Sequence, residues 1–172
     1  MLVLTASPQL FGPPAARAEV SQVGEYQVKA AYLYNFAKFV EWPPDAAGGS
    51  TLNICILGKS PFGDTLSAIS GKTVRGRRVV ITHIRRIEDL PACDILFVSL
   101  SERGRLGQIL SAVATRPILT ISDIRRFVAA GGMIGFVSVN ERVRFEINQR
   151  VAQRSSLRVS AQLLKLATTV AE

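Results

Sequence analysis

The sequence predicts an α/β fold, a three-layer sandwich on a mainly parallel sheet with a C-terminal antiparallel hairpin at one edge. Two observations carry this. Short, largely apolar runs at 52–57, 78–84 and 95–100 alternate with segments of helical periodicity, the pattern of a parallel sheet covered on both faces. The last third of the chain then changes character. Residues 133–139 and 142–147 flank Asn140-Glu141, and in the second run Val143, Phe145 and Ile147 alternate with Arg142, Arg144 and Glu146. That is an antiparallel hairpin with a two-residue turn and one wet face.

The chain has 172 residues, 48% of them hydrophobic and 20% charged, enough to bury one core and far from disordered composition. Its longest uncharged stretch, residues 1–16, contains Pro8, Gly12, Pro13 and Pro14, so it does not read as a membrane-spanning helix. Ala16-Arg17-Ala18 before Glu19 fits a small-x-small cleavage site. Residues 1–18 are therefore expected to be a signal-peptide remnant lacking its basic start, and 19–172 one domain. The competing reading is an Ala/Pro-rich tail.

The best helix spans 24–42. Val28, Tyr32, Leu33, Phe36, Phe39 and Val40 gather on one side, and Pro43-Pro44 ends it. Tyr34 falls on the polar side and is a candidate contact residue. Ser60-Pro61 has the chemistry to start a short helix through Ile69. Further helices are expected over 101–115, after Ser122-Asp123 up to Gly131-Gly132, after Asn148 through Arg154, and over 161–170, with a short strand at 117–121.

Cys55 sits inside the first apolar run and Cys93 just before the third. Neighbouring core strands would let the two thiols meet as a disulfide, which suits an exported protein; two buried thiols are the alternative. His83 is the single histidine and reads as a plain strand residue, so no metal site is expected. The net charge of +8 is spread along the chain without an RNA-binding or recognition-helix signature, so nucleic acid is not the expected partner. A basic surface facing acidic partners or anionic lipid head groups fits better.

Catalytic motifs are not found. Gly58-Lys59-Ser60 follows a strand as a phosphate loop would, but Asn53 stands where the signature needs its first glycine, and Gly71-Lys72-Thr73 fails in the same way. A small anion or ligand near Gly58, Lys59 and Ser60 remains a candidate, at the carboxyl ends of the strands. No nucleophile elbow accompanies His83. A binding protein without catalytic residues or cofactors is expected.

The run from Glu25 to Pro43 (EYQVKAAYLYNFAKFVEWP) resembles the N-terminal helix of the YfiR family. So do Gly131 to Phe136, Val143 to Asn148, Leu157 to Ala167, and the middle segments Ile56-Leu57-Gly58, Gly71-Lys72 and Cys93 to Val98. The resemblance covers about residues 25–167. It implies a periplasmic α/β domain that represses a membrane-anchored diguanylate cyclase by binding its periplasmic sensor domain, until an outer-membrane lipoprotein sequesters the repressor. It also implies a core disulfide between Cys55 and Cys93. The family's second cysteine pair, toward the C-terminal hairpin, is missing here, so the remaining bridge is expected to be structural rather than regulatory. Candidate partner contacts are Tyr34, Trp42, Arg142 and Arg144, and a homodimer is a further candidate assembly. The alternative is a periplasmic small-ligand sensor serving another partner.

Overall fold

The structure, a computed structural model, describes residues 15–46 and 49–171, with side chains from residue 22 onward. Of the expected signal segment, residues 1–14 lie outside the described residues.

Helix α1 (Ala15–Phe39) leads directly into strand β1 (Val40–Glu41). Its buried stripe is Ala30, Leu33, Phe36 and Ala37, the i, i+3, i+4 spacing of one helix face, and Val40 of β1 continues it. Lys29 belongs to that stripe, 4% exposed, whereas Val28 faces solvent at 44%. The helix stops short of Trp42 because Val40 and Glu41 pair with β9 (Arg158–Val159).

Five parallel strands form the body of the sheet: β2 (Thr51–Leu57), β4 (Arg77–Ile84), β5 (Ile95–Val98), β6 (Leu119–Ser122) and β7 (Ile134–Val139). They lie in the order β4-β2-β5-β6-β7. The chain thus leaves β2 to one side and later returns to its other side, which puts a topological switch point between β2 and β5. Strand β3 (Thr73–Val74) flanks β4, and β8 (Arg142–Asn148) pairs antiparallel with β7. Asn140 and Glu141 both have positive φ, 49° and 60°, the geometry of the expected two-residue hairpin turn. The hairpin is not the outermost element. β10 (Thr169–Ala171) runs parallel to β8 along Glu146, Ile147 and Asn148.

Both faces are covered. Helix α1, the 3₁₀ turn Gly63–Ala68, α3 (Gln149–Arg154) and α4 (Ala161–Leu166) lie over one, around Phe36, Ile54, Ile56, Phe97 and Phe145. Helix α2 (Leu106–Val113), with Ile124 and Phe127, covers the other, where Cys55, Leu57, Leu96 and Val98 point. Successive residues of β2 therefore feed opposite cores, as a doubly covered parallel strand requires.

Several expected helices are shorter or absent. The segment after Ser60 is only the 3₁₀ turn, and 101–115 divides into a 3₁₀ turn (Leu100–Arg105) and α2. No helix follows Ser122-Asp123. Ser122 Oγ accepts from Ile124 N at 3.0 Å while donating to Val98 O at 2.6 Å, and Asp123 is drawn to α1 instead of capping. The last helix ends at Leu166, and Thr169–Ala171 form β10. The cap at Asn148 is present, its Oδ1 accepting from Val151 N at 3.0 Å.

Candidate functional site

The N-terminal half of α1 crosses the carboxyl end of the sheet. Tyr26 meets the loop after β2 edge-on at Phe62, with ring centroids 5.3 Å apart, and reaches the loop after β6 at Asp123. A recess lies on either side of this crossing. One, about 920 Å³, is lined by Val23, Tyr26, Lys59, Phe62 and Leu100, among others, and sits at the switch point. The other, about 650 Å³, lies between α1 and the β7–β8 hairpin and includes Lys29, Tyr32, Asp123, Phe136, Arg142 and Arg144.

A buried polar cluster forms the wall of the second recess. Lys29 Nζ lies 2.7 Å from Asp123 Oδ2 and 2.6 Å from Glu25 Oε1, and it stands over the Tyr26 ring at 4.3 Å. Tyr26 donates its hydroxyl to the same Asp123 oxygen at 2.6 Å. Burial, then this hydrogen bond to the carboxylate, pushes the Tyr26 phenol well above its usual range, so Tyr26 acts as a donor. Asp123 Oδ1 is buried with no hydrogen-bond partner among the described residues. This cluster was not singled out from the sequence. The signal existed: counted round the helix, Lys29 falls between Phe36 and Val40, in the middle of the apolar stripe.

The residues singled out from the sequence occupy separate places. At Gly58-Lys59-Ser60 two backbone amides and the serine hydroxyl are used within the fold. Gly58 N donates to Ile84 O at 2.9 Å, Lys59 N to Ser101 Oγ at 2.9 Å, and Ser60 Oγ accepts from Phe62 N at 3.3 Å. Gly58 has φ +86°, and a β-carbon there would collide with Ser101 and Glu102. These two amides are thus committed, and the helix expected to open at Ser60 and hold an anion is missing; what the segment does is line the larger recess. Tyr34 is half-buried, donates to Thr73 O at 3.2 Å, and carries the Lys38 and Lys72 ammonium groups over its ring at 4.2 and 5.4 Å. Trp42 is half-buried at the opposite end of α1, its Nε1 donating to Asp94 O at 3.3 Å. Arg142 and Arg144 are exposed on β8, and none of the ion pairs among the described residues includes either. His83 is exposed on β4.

Cys55 on β2 and Cys93 before β5 are unbridged, and the Cys93 thiol donates to Ile95 O at 3.0 Å. The neighbouring Cys93 thiol holds the Cys55 thiol below its usual range, whereas burial pushes the Cys93 thiol far up. Among the described residues, no helix is long and apolar enough to cross a membrane.

Two solved structures share the architecture. A conserved domain protein from Vibrio cholerae O1 biovar eltor is 9% identical with TM-score 0.53, over 74% of this chain and 57% of that one. The ABC domain in complex with L-Trp from Streptococcus pneumonia is 12% identical with TM-score 0.55, over 85% and 60%. This chain spans less than two thirds of either, and at such identity the likeness is one of fold. A family model described as YfiR/HmsC-like matches residues 26–168, from the tyrosine that contacts Asp123 through β9 and α4 to the threonine before β10. The chain belongs to the YfiR/HmsC-like family.

Proposed function

We propose that this protein is a periplasmic regulator that binds the sensor domain of a membrane-anchored diguanylate cyclase and represses it, lowering cyclic-di-GMP and biofilm formation. The family match over residues 26–168 carries this reading. The same reading supplies the rest of the system: cleavage after a signal segment at 1–18, a mature domain over 19–172, release by an outer-membrane lipoprotein, and a homodimer as one form of the free repressor. Exposed Arg142 and Arg144 offer the sensor domain a basic contact, and Tyr34 and Trp42 lie farther away, held by their own backbone partners. Deleting the gene is expected to raise cyclic-di-GMP, and the tagged protein to retain a membrane cyclase in pull-downs. Unchanged cyclic-di-GMP together with no retained cyclase would sink the proposal.

In an oxidising compartment the adjacent Cys55 and Cys93 thiols are expected to close into a structural disulfide. The intact mass of protein purified from the periplasm should then fall about two hydrogens below that of its reduced form. Equal masses would exclude the bridge.

A second reading, a small-ligand sensor, is favoured by the recess of about 920 Å³ at the switch point, where doubly wound sheets bind ligands. The Streptococcus domain was solved with L-Trp, which makes free amino acids the first ligands to screen by thermal shift. Stabilisation by one of them without any protein partner would favour this reading.

A further inference from the structure

Part of the β8 edge is open. Among the described residues, β10 pairs only with Glu146, Ile147 and Asn148 of β8, so residues 142–144 have β7 on one side and no described strand on the other. The main chain there faces outward. Phe145 O accepts from Thr168 N at 2.9 Å, on the side away from β7. Val143, two residues earlier, therefore directs its own N–H and C=O the same way. Arg142 and Arg144 flank it on one face, opposite Val139 and Val137 of β7, both exposed and without an acidic partner among the described ion pairs. On the other face, α4 packs through Leu163 and leaves Leu166 58% exposed.

We propose that this edge is a docking site for an extended acidic segment of a protein partner, which adds as a strand alongside Val143 and places acidic side chains against Arg142 and Arg144. Main-chain pairing would supply the register and the two arginines the selection. A second copy of this chain is disfavoured by charge. Antiparallel self-pairing about Val143 would set Arg142 directly opposite Arg144 of the other copy, and like charges so placed repel. The outer edge of β4 is also open beyond Val79, over residues 80–84, but its one titratable side chain is His83, so nothing there selects an acidic occupant. The proposal rests on the regulator reading only for who supplies the segment.

The test uses the whole protein and a fluorescent pentapeptide, Ser-Glu-Val-Glu-Ser, with acetylated and amidated ends. Three comparisons are made: the Lys-for-Glu peptide, the acidic peptide N-methylated at its central valine, and the variant Arg142→Glu/Arg144→Glu. Wild type is expected to bind the acidic peptide, and the double variant to bind it about tenfold or more weakly and to prefer the lysine peptide. N-methylation should weaken binding to the unaltered protein, a readout independent of how any variant folds. No binding of the acidic peptide up to about 1 mM, equal binding of both charge types, or indifference to N-methylation overturns the proposal. In pull-downs, a cyclase retained equally by wild type and double variant removes the edge and leaves the regulator reading intact. Peptide binding as described with no cyclase retained by wild type keeps the edge and removes the assigned partner.

Discussion

Replacing Arg77 with alanine is expected to lower the unfolding free energy by about 3–5 kcal/mol. The Arg77 and Asp94 side chains are only 12% and 7% exposed, with Nη2 2.7 Å from Oδ1. Arg77 also donates to Thr51 O through Nε at 3.0 Å and Nη2 at 2.6 Å. Asp94 Oδ2 accepts from Asn53 N at 2.7 Å, and its backbone carbonyl accepts from Leu119 N and Trp42 Nε1. One ion pair thus joins the amino ends of β4, β2, β5 and β6. Alanine would leave the Asp94 carboxylate buried with one donor instead of two, and the desolvation of that charge would go uncompensated. Arg77→Lys should recover only part of the loss, because an ammonium cannot reproduce the guanidinium fork that spans Thr51 and Asp94. The measurement is a urea midpoint at unchanged slope, so that the shift reports stability alone. Against a total of roughly 5–15 kcal/mol for a domain of this kind, the variant should be visibly marginal at 37 °C. A loss under about 1 kcal/mol, the range of exposed pairs, would show that water reaches the pair.

What the sequence made legible follows from how local each signal is. The apolar runs at 52–57 and 95–100 could be read because strands buried on both faces need apolar residues at consecutive positions, and the hairpin because Asn140-Glu141 and the alternation around Val143 lie within a few residues of each other. The four two- and three-residue strands were not legible. β1 exists only because Val40 meets Val159, and β10 only because Val170 meets Ile147; neither pairing leaves a local pattern. The helix expected after Asp123 failed for a related reason. Ser-Asp is good capping chemistry, but Ser122 is used by Val98 and Ile124, and Asp123 by a lysine 94 residues earlier.

The candidate site was less legible than the fold. Reading α1 by hydrophobicity alone put Val28 in the core, yet Val28 sits at the margin of the stripe and Lys29 near its centre. A lysine there looks like a defect until a carboxylate far away in sequence is known to meet it. In the sequence Gly58 resembles part of a phosphate loop. Its structural requirement is a positive φ and the close approach of Ser101 and Glu102, which no spacing rule reveals.

Lys29→Met alone is expected to cost about 3–5 kcal/mol, and adding Asp123→Leu to recover most of it. Asp123 has its Oδ2 shared between Lys29 and Tyr26, its Oδ1 buried without a partner, and a side chain 10% exposed. Methionine at 29 would leave that carboxyl with the Tyr26 hydroxyl alone, an uncompensated buried charge. Leucine at 123 would remove the charge itself and extend the apolar stripe of α1 toward Phe136. Glu25, whose side chain is 45% exposed, and the half-buried Tyr26 hydroxyl can both turn to water. A double-mutant cycle on urea midpoints reads the coupling directly. Additive losses in the double variant would mean that Lys29 and Asp123 stabilise the fold independently. Recovery of stability in the same variant also separates two roles for the cluster. If the restored protein still retains the proposed cyclase partner in pull-downs, the buried pair serves to hold α1 against the loop after β6. If it is stable but retains none, the wall of the recess beside Arg142 and Arg144 is itself part of what the partner touches.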